Sequence, residues 1–186
     1  HLYTNAIQPY FRAPHLLVGF PARFQPKHEQ VEPILMTSRD GKNFRRWPTP
    51  LIPITAPQDR DGNRSNYMTW GLLQLPGNDR ELSVHATEAY YKGPGGRVRR
   101  FTFRTDGFVS AQAPAAGGEL LTKPFTFTGH QLTLNVATSP QGSLRVEMQD
   151  QAGQPLPGFT LAECPPISGD DIEHIVAWKG GSDVKS

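Results

Sequence analysis

Between Ile34 and Trp47 the chain reads I-L-M-T-S-R-D-G-K-N-F-R-R-W, and this segment constrains the fold more than any other. An apolar run, a tight S-R-D-G turn and a second run ending in Trp47 make a β-hairpin, because Asp-Gly supplies the backbone conformations that a short hairpin turn demands. Asp40 is expected to cap that turn with its carboxylate. Just upstream, Arg12 and His15 flank a rigid Ala13-Pro14 step. His15–Phe20 then runs as a continuous apolar stretch, as a strand covered on both faces does.

The rest of the chain speaks the same language. Eighteen Gly and 18 Pro with only 19% charged residues favour many short strands and turns over long helices. Thr69–Leu75 is a further apolar run. Leu82, Val84, Ala86 and Glu88 alternate with Ser83, His85 and Thr87, so they share one face of a strand. Tyr90 to Gly96 reads as a turn, after which Phe101 and Phe103 oppose Arg100, Thr102 and Arg104. The best helical candidate, Asp170–Val176, is short. Beyond about residue 107 the alternation becomes cleaner: Phe125 with Phe127, Leu132 with Leu134 and Val136, Leu144 with Val146 and Met148. Strands with one wet face read this way in a sandwich. A boundary is expected at about 106–118, where Ala111–Gly118 is small and flexible.

Several function classes are disfavoured. A net charge of +2 gives no dominant attraction to nucleic acid. Arg97, Arg99, Arg100 and Arg104, with Arg45 and Arg46, cluster in two groups that read as solvated strand faces. The single cysteine, Cys164, excludes an intrachain disulfide and a cysteine-built zinc site, and reads as a buried structural thiol. No run approaches the roughly 20 apolar residues of a membrane-spanning helix. Asp59-Arg60-Asp61-Gly62-Asn63 opens like a calcium loop, but its Gly comes early and Trp70 stands where a bidentate Glu belongs. A solvated turn is the better reading there, and no metal or cofactor is expected. Asn63-Arg64-Ser65 fits a glycosylation sequon, a pattern too common to carry weight. Trp47 and Trp178 read as packing residues.

The ordered segments R-A-P-H, G-F-P-A-R-F, T-S-R-D-G-K-N-F-R-R-W, N-Y-M-T-W-G-L, T-E-A-Y-Y, R-R-F-T-F-R-T-D-G-F-V-S and A-W-K-G-G-S-D-V span nearly the whole chain. In them the chain resembles bacterial proteins similar to the five-bladed propeller glycoside hydrolases of families 32 and 43. The resemblance implies an all-β fold. Residues 1–106 would be the last blades of a β-propeller, and 107–186 a jelly-roll-like β-sandwich, with sequence missing on both sides. It also implies a secreted or periplasmic setting and a carbohydrate ligand.

Such enzymes place carboxylates around a central funnel, since an oxocarbenium-like transition state needs negative charge beside it and a proton donor at the leaving oxygen. The family's third carboxylate lies in an R-D-P-like motif, and here that stretch reads Arg12-Ala13-Pro14. Glu88 is the remaining candidate for the general acid, at the end of an inward face where burial would favour the protonated form. Set against this is an ion pair between Glu88 and an arginine such as Arg12 or Arg64. Arg12, His15, Asn66, Tyr67 and Trp70 are candidates for holding sugar hydroxyls or stacking on sugar rings, although Trp70, followed by Gly-Leu-Leu, also reads as core. Three functions stand open: a glycosidase whose catalytic set is shared with other blades, a non-catalytic carbohydrate-binding propeller, favoured by Ala13, and a structural or interaction module.

Overall fold

The computed structural model describes residues 1–58, 63–91 and 93–185. The calcium-like stretch at 59–62 and Lys92 of the tyrosine turn lie outside the described residues. The protein is all-β, with one short 3-10 turn at Gly93–Gly95 and no α-helix among the described residues. No helix there is long and apolar enough to cross a membrane. The chain divides into two compact units, His1–Phe108 and Val109–Ser186.

Among its described residues the first unit contains nine strands: β1 (Leu2–Tyr3), β2 (Gln8–Tyr10), β3 (Ala13–Gly19), β4 (Ala22–Gln25), β5 (Gln30–Ser38), β6 (Arg45–Pro50), β7 (Leu73–Gln74), β8 (Glu81–Glu88) and β9 (Arg97–Arg104). The first six form one curled antiparallel sheet, and β7–β8–β9 form a three-stranded meander. β3 and β4 run along the same edge of β5 in one unbroken register. Gly19 faces Met36 and Ala22 faces Pro33, and between them Ile34 N–H donates to the Pro21 carbonyl at 3.0 Å. Gly19 suits this close crossing: a Cβ there would come within 2.8 Å of the flexible end of the Met36 side chain and 3.1 Å of the Asn5 carbonyl.

β6 takes the opposite edge of β5. Pro33 turns its carbonyl to that side, where Leu51 N–H donates to it at 2.8 Å, so its missing N–H falls at the end of the β6 ladder and costs little. β6 itself carries Pro48 and Pro50, which a central strand would not tolerate. The Asp40 turn forms as expected. The carboxylate accepts from the N–H groups of Lys42 (2.9 Å) and Asn43 (2.8 Å), from Asn43 Nδ2 (2.7 Å) and from the Ser38 hydroxyl (3.0 Å). Gly41 supplies a φ of +71°. These donors, the Asn43 N–H foremost, hold the Asp40 pKa well below the usual carboxylate range.

The alternation on β8 holds. Leu82, Val84 and Ala86 are fully buried, and they join Val18, Phe20, Leu35 and Ile52 in one core. At about 25 cal/mol per Å2 of apolar area, such burial is the main term holding the two sheets together. Phe101, Phe103 and Phe108 pack against that core from outside.

In the second unit the regular structure is sparse. β10 (Thr133–Ala137) pairs with β11 (Asp170–Ile175), and Cys164, Ile167, Val176, Trp178 and Val184 form a small core. The segment read as a helix, Asp170–Val176, is therefore mostly strand. Seven residues recover too little to offset helix nucleation, whereas β10 offers a ready ladder to β-branched Ile172 and Ile175. Phe125 and Phe127 do not lie in a strand, and residues 109–131 are exposed throughout. Alternation alone did not order them, because no partner strand satisfies their backbone among the described residues. Cys164 is a buried free thiol.

Candidate functional site

Glu88 ends the buried face of β8, directly opposite Arg97 of β9. Its side chain is only 3% exposed. A carboxylate so far from water needs neutralising partners, and Arg97 and Arg99 are among them. Arg97 Nε donates to Oε2, and Arg99 Nη1 donates to Oε1 at 2.8 Å while also reaching the Pro57 carbonyl at 2.8 Å. The ion pair is thus with Arg97 and Arg99 rather than with Arg12 or Arg64. Arg12 Nε instead binds Asp106 Oδ2 at 3.0 Å, and Arg64 Nη1 binds the Ala56 carbonyl at 2.9 Å. Guanidinium neighbours favour the ionised carboxylate and burial favours the protonated one, and a general acid must carry a proton.

Past Glu88 the backbone takes two uncommon steps. Ala89 has a φ of +55° and Tyr91 a φ of +64°. Non-glycine residues in this region are strained by about 1 kcal/mol each, and such strain collects at binding and catalytic sites. The consequence here is a cluster of tilted tyrosine rings. The Tyr90 ring lies 4.1 Å from Tyr91 and 5.0 Å from Tyr67, centroid to centroid. Tyr91 is 83% exposed, so one ring of the cluster is offered to solvent. Tyr90 and Tyr91 border a concavity of about 300 Å3 that Thr87, Glu88, Gly96 and Arg97 also line. Burial raises the Tyr67 phenol, and the hydrogen bond with Tyr91 raises that of Tyr90. Both remain neutral hydroxyl groups at ordinary pH. A flat aromatic face beside a carboxylate, a guanidinium and phenol hydroxyls can hold a ring that is apolar on its face and polar at its edge.

The other residues singled out from sequence are dispersed. Asn66 is buried, and its Nδ2 donates to the carbonyls of Ile52 (3.3 Å) and Pro53 (3.1 Å), tying a connection in place. Trp70, also read as core, is 71% exposed, and its Nε1 donates to the Ile7 carbonyl at 3.2 Å. His15 is exposed. Arg12 shares Asp106 with Tyr10, whose hydroxyl donates to Oδ1 and whose pKa is pushed up by burial and by that bond. Of the candidates Glu88 lines the tyrosine concavity, and Tyr67 touches Tyr90 without lining it. Tyr90, Tyr91 and Arg97 complete it, and the sequence reading had absorbed all three into a turn and a solvated face. The doublet Tyr90-Tyr91 was the available signal, since two large aromatics at the mouth of a Gly-rich turn cannot both be buried. Among the described residues no three His, Cys, Asp or Glu side chains stand together as a metal site would require.

Comparison with known proteins finds no matching family model, no matching curated protein and no matching solved structure.

Proposed function

We propose that the first unit is a non-catalytic carbohydrate-binding β-module, with the tyrosine concavity as its sugar site. The observation that carries this reading is the Tyr67–Tyr90–Tyr91 ring cluster, held by a strained turn beside a Glu88 paired with Arg97 and Arg99. Sugar rings stack on exposed aromatic faces, and their hydroxyls take bonds from ionised and phenolic groups. Catalysis would need a protonated acid and a second carboxylate at a defined separation. Pairing of Glu88 with two arginines opposes the first of these, and Ala13 stands where the resemblance calls for another acid.

The finer architecture that suits this function is the one the resemblance implies: propeller blades in the first unit and a bracing sandwich in the second. Neighbour-to-neighbour antiparallel pairing in β7–β8–β9 supports that reading.

The test is titration of the whole chain with a panel of neutral oligosaccharides, followed by tyrosine fluorescence and by product analysis. Binding without hydrolysis is expected, with Tyr91→Ala weakening it about tenfold, as loss of one stacking ring should. Hydrolysis that disappears in Glu88→Gln would restore the glycosidase reading. Binding indifferent to both Tyr90→Ala and Tyr91→Ala would remove the site altogether.

A further inference from the structure

A second and larger concavity, about 710 Å3, opens on the β5–β6 hairpin. That volume lies within the range of small-molecule sites. Arg39, Lys42 and Arg45 line it together with Thr37, Asn43 and Trp47. The hairpin explains the convergence. Arg45 pairs directly across from Thr37, so both side chains leave the same face, and Trp47 two residues on shares it. The Arg45 guanidinium lies 4.2 Å above the Trp47 ring, which fixes a flexible side chain in one orientation. Arg39 and Lys42 flank Asp40-Gly41 in the turn and reach the same space.

No carboxylate among the described residues forms an ion pair with these three cations. The nearest acid in sequence is Asp40, and the turn occupies it: Ser38, Lys42 N–H, Asn43 N–H and Asn43 Nδ2 all donate to it, and it does not line the concavity. Three cations around one hollow repel one another and raise a local positive potential. Guanidinium forks match the spacing of oxygens on a carboxylate or a sulfate. The positive field is local, since Glu88 takes up Arg97 and Arg99 of the other basic cluster. A polynucleotide needs a basic track along its backbone, and one hollow does not make one.

We infer that the β5–β6 hollow is an anion site that takes the sulfate ester or carboxylate of an acidic saccharide through Arg39, Lys42 and Arg45. The saccharide as carrier rests on the proposed sugar-binding function, whereas the anion chemistry rests on the hollow alone.

The experiment titrates the full chain with sulfated dextran oligosaccharides, with their unsulfated counterparts, with inorganic sulfate and with a single-stranded DNA oligonucleotide. Chemical shifts of the Arg39–Trp47 amides and isothermal calorimetry give the readouts. Sulfated oligosaccharide is expected to bind about tenfold more tightly than unsulfated, and the difference should shrink as salt rises. Inorganic sulfate should shift the same amides, and the double variant Arg39→Gln/Arg45→Gln should abolish both effects. If sulfation adds nothing and inorganic sulfate leaves these amides unmoved, the anion site is overturned, even where neutral sugars bind at the tyrosines. If inorganic sulfate binds at the hairpin but no saccharide binds better than sulfate itself, the anion site stands and the saccharide carrier falls. Tighter binding of the oligonucleotide than of the sulfated saccharide overturns the carrier as well.

Discussion

Strand β9 and the β5–β6 hairpin are both rich in arginine, and they treat its charge in opposite ways. On β9, Arg97 and Arg99 are half-buried and spend their charge on Glu88, while Arg100 Nε binds the Ser83 hydroxyl at 2.9 Å and its other end lies 3.8 Å from Glu81. On the hairpin, Arg39 and Arg45 face an open hollow without a carboxylate partner among the described residues. The first arrangement spends its charge on cohesion, joining two strands through one buried anion. The second leaves its charge available to a ligand. Residue type alone therefore says little about what an arginine does, and the position of the nearest acid says most of it.

Four measurements can break or sharpen this contrast. The largest effect is expected from Glu88→Ala, which removes the shared anion from two guanidinium groups side by side on β9. A fully buried pair broken in this way costs more than 3 kcal/mol. Both arginines keep some contact with water, so about 2 kcal/mol is expected, read from urea denaturation. An unchanged midpoint would mean that the β9 charges do no structural work and that the contrast fails.

Next comes Tyr10→Phe, which removes the hydroxyl that binds Asp106, and about 1 kcal/mol should be lost. The pH dependence sharpens the test. The folded pKa of Tyr10 lies above the ordinary phenol value of 10.0. Above that value the unfolded chain loses the proton while the folded chain keeps it. The Tyr10 contribution is therefore complete below the ordinary value and declines as pH climbs towards the folded one. Thermal midpoints measured on the alkaline side should fall less steeply in the Phe variant.

Asp40→Asn should have a smaller effect, present near neutral pH and vanishing in acid. Its folded pKa lies below the ordinary carboxylate value, so its stabilising contribution is present above that value and is lost as pH falls towards the folded one. The variant should flatten the acid limb of the midpoint-against-pH curve, while Asn keeps the turn formed. A curve as steep as that of the parent would assign acid sensitivity to other carboxylates. The smallest change in stability is expected from Arg39→Gln/Arg45→Gln, less than about 0.5 kcal/mol, because neither side chain holds a carboxylate. A loss as large as that of Glu88→Ala would show that the hairpin arginines are structural after all.

The sequence disclosed those parts of the fold in which one residue pattern decides a backbone. Asp40-Gly41 announced its hairpin, and strict alternation from Leu82 to Glu88 announced a strand with one buried face. It failed where a partner decides. Phe125 and Phe127 alternate as well as any strand but have no ladder, while Asp170–Ile175 looks briefly helical and is claimed by β10. The site followed the same rule. Burial of Glu88 was legible from parity, but the choice of Arg97 and Arg99 depends on a cross-strand register that no local pattern encodes. The core reading of Trp70 fails for a related reason: the apolar residues after it do enter a strand, but the indole turns outward to a carbonyl far away in sequence.

The prolines of β6 have a consequence for life in a crowded solution. β6 pairs with β5 along one side, and its other side meets no strand among the described residues. A bare strand edge invites a second chain to extend the sheet, which is how ordered aggregates begin. Pro48 and Pro50 withhold two of the donors that such a newcomer would need, and the adjacent Arg45 and Arg46 would meet their own copies as like charges. The same short strand that presents Arg45 to a ligand is thereby a guard against self-templating, and exchanging its prolines for threonine would be expected to shorten the shelf life of a concentrated solution before it altered the folded monomer.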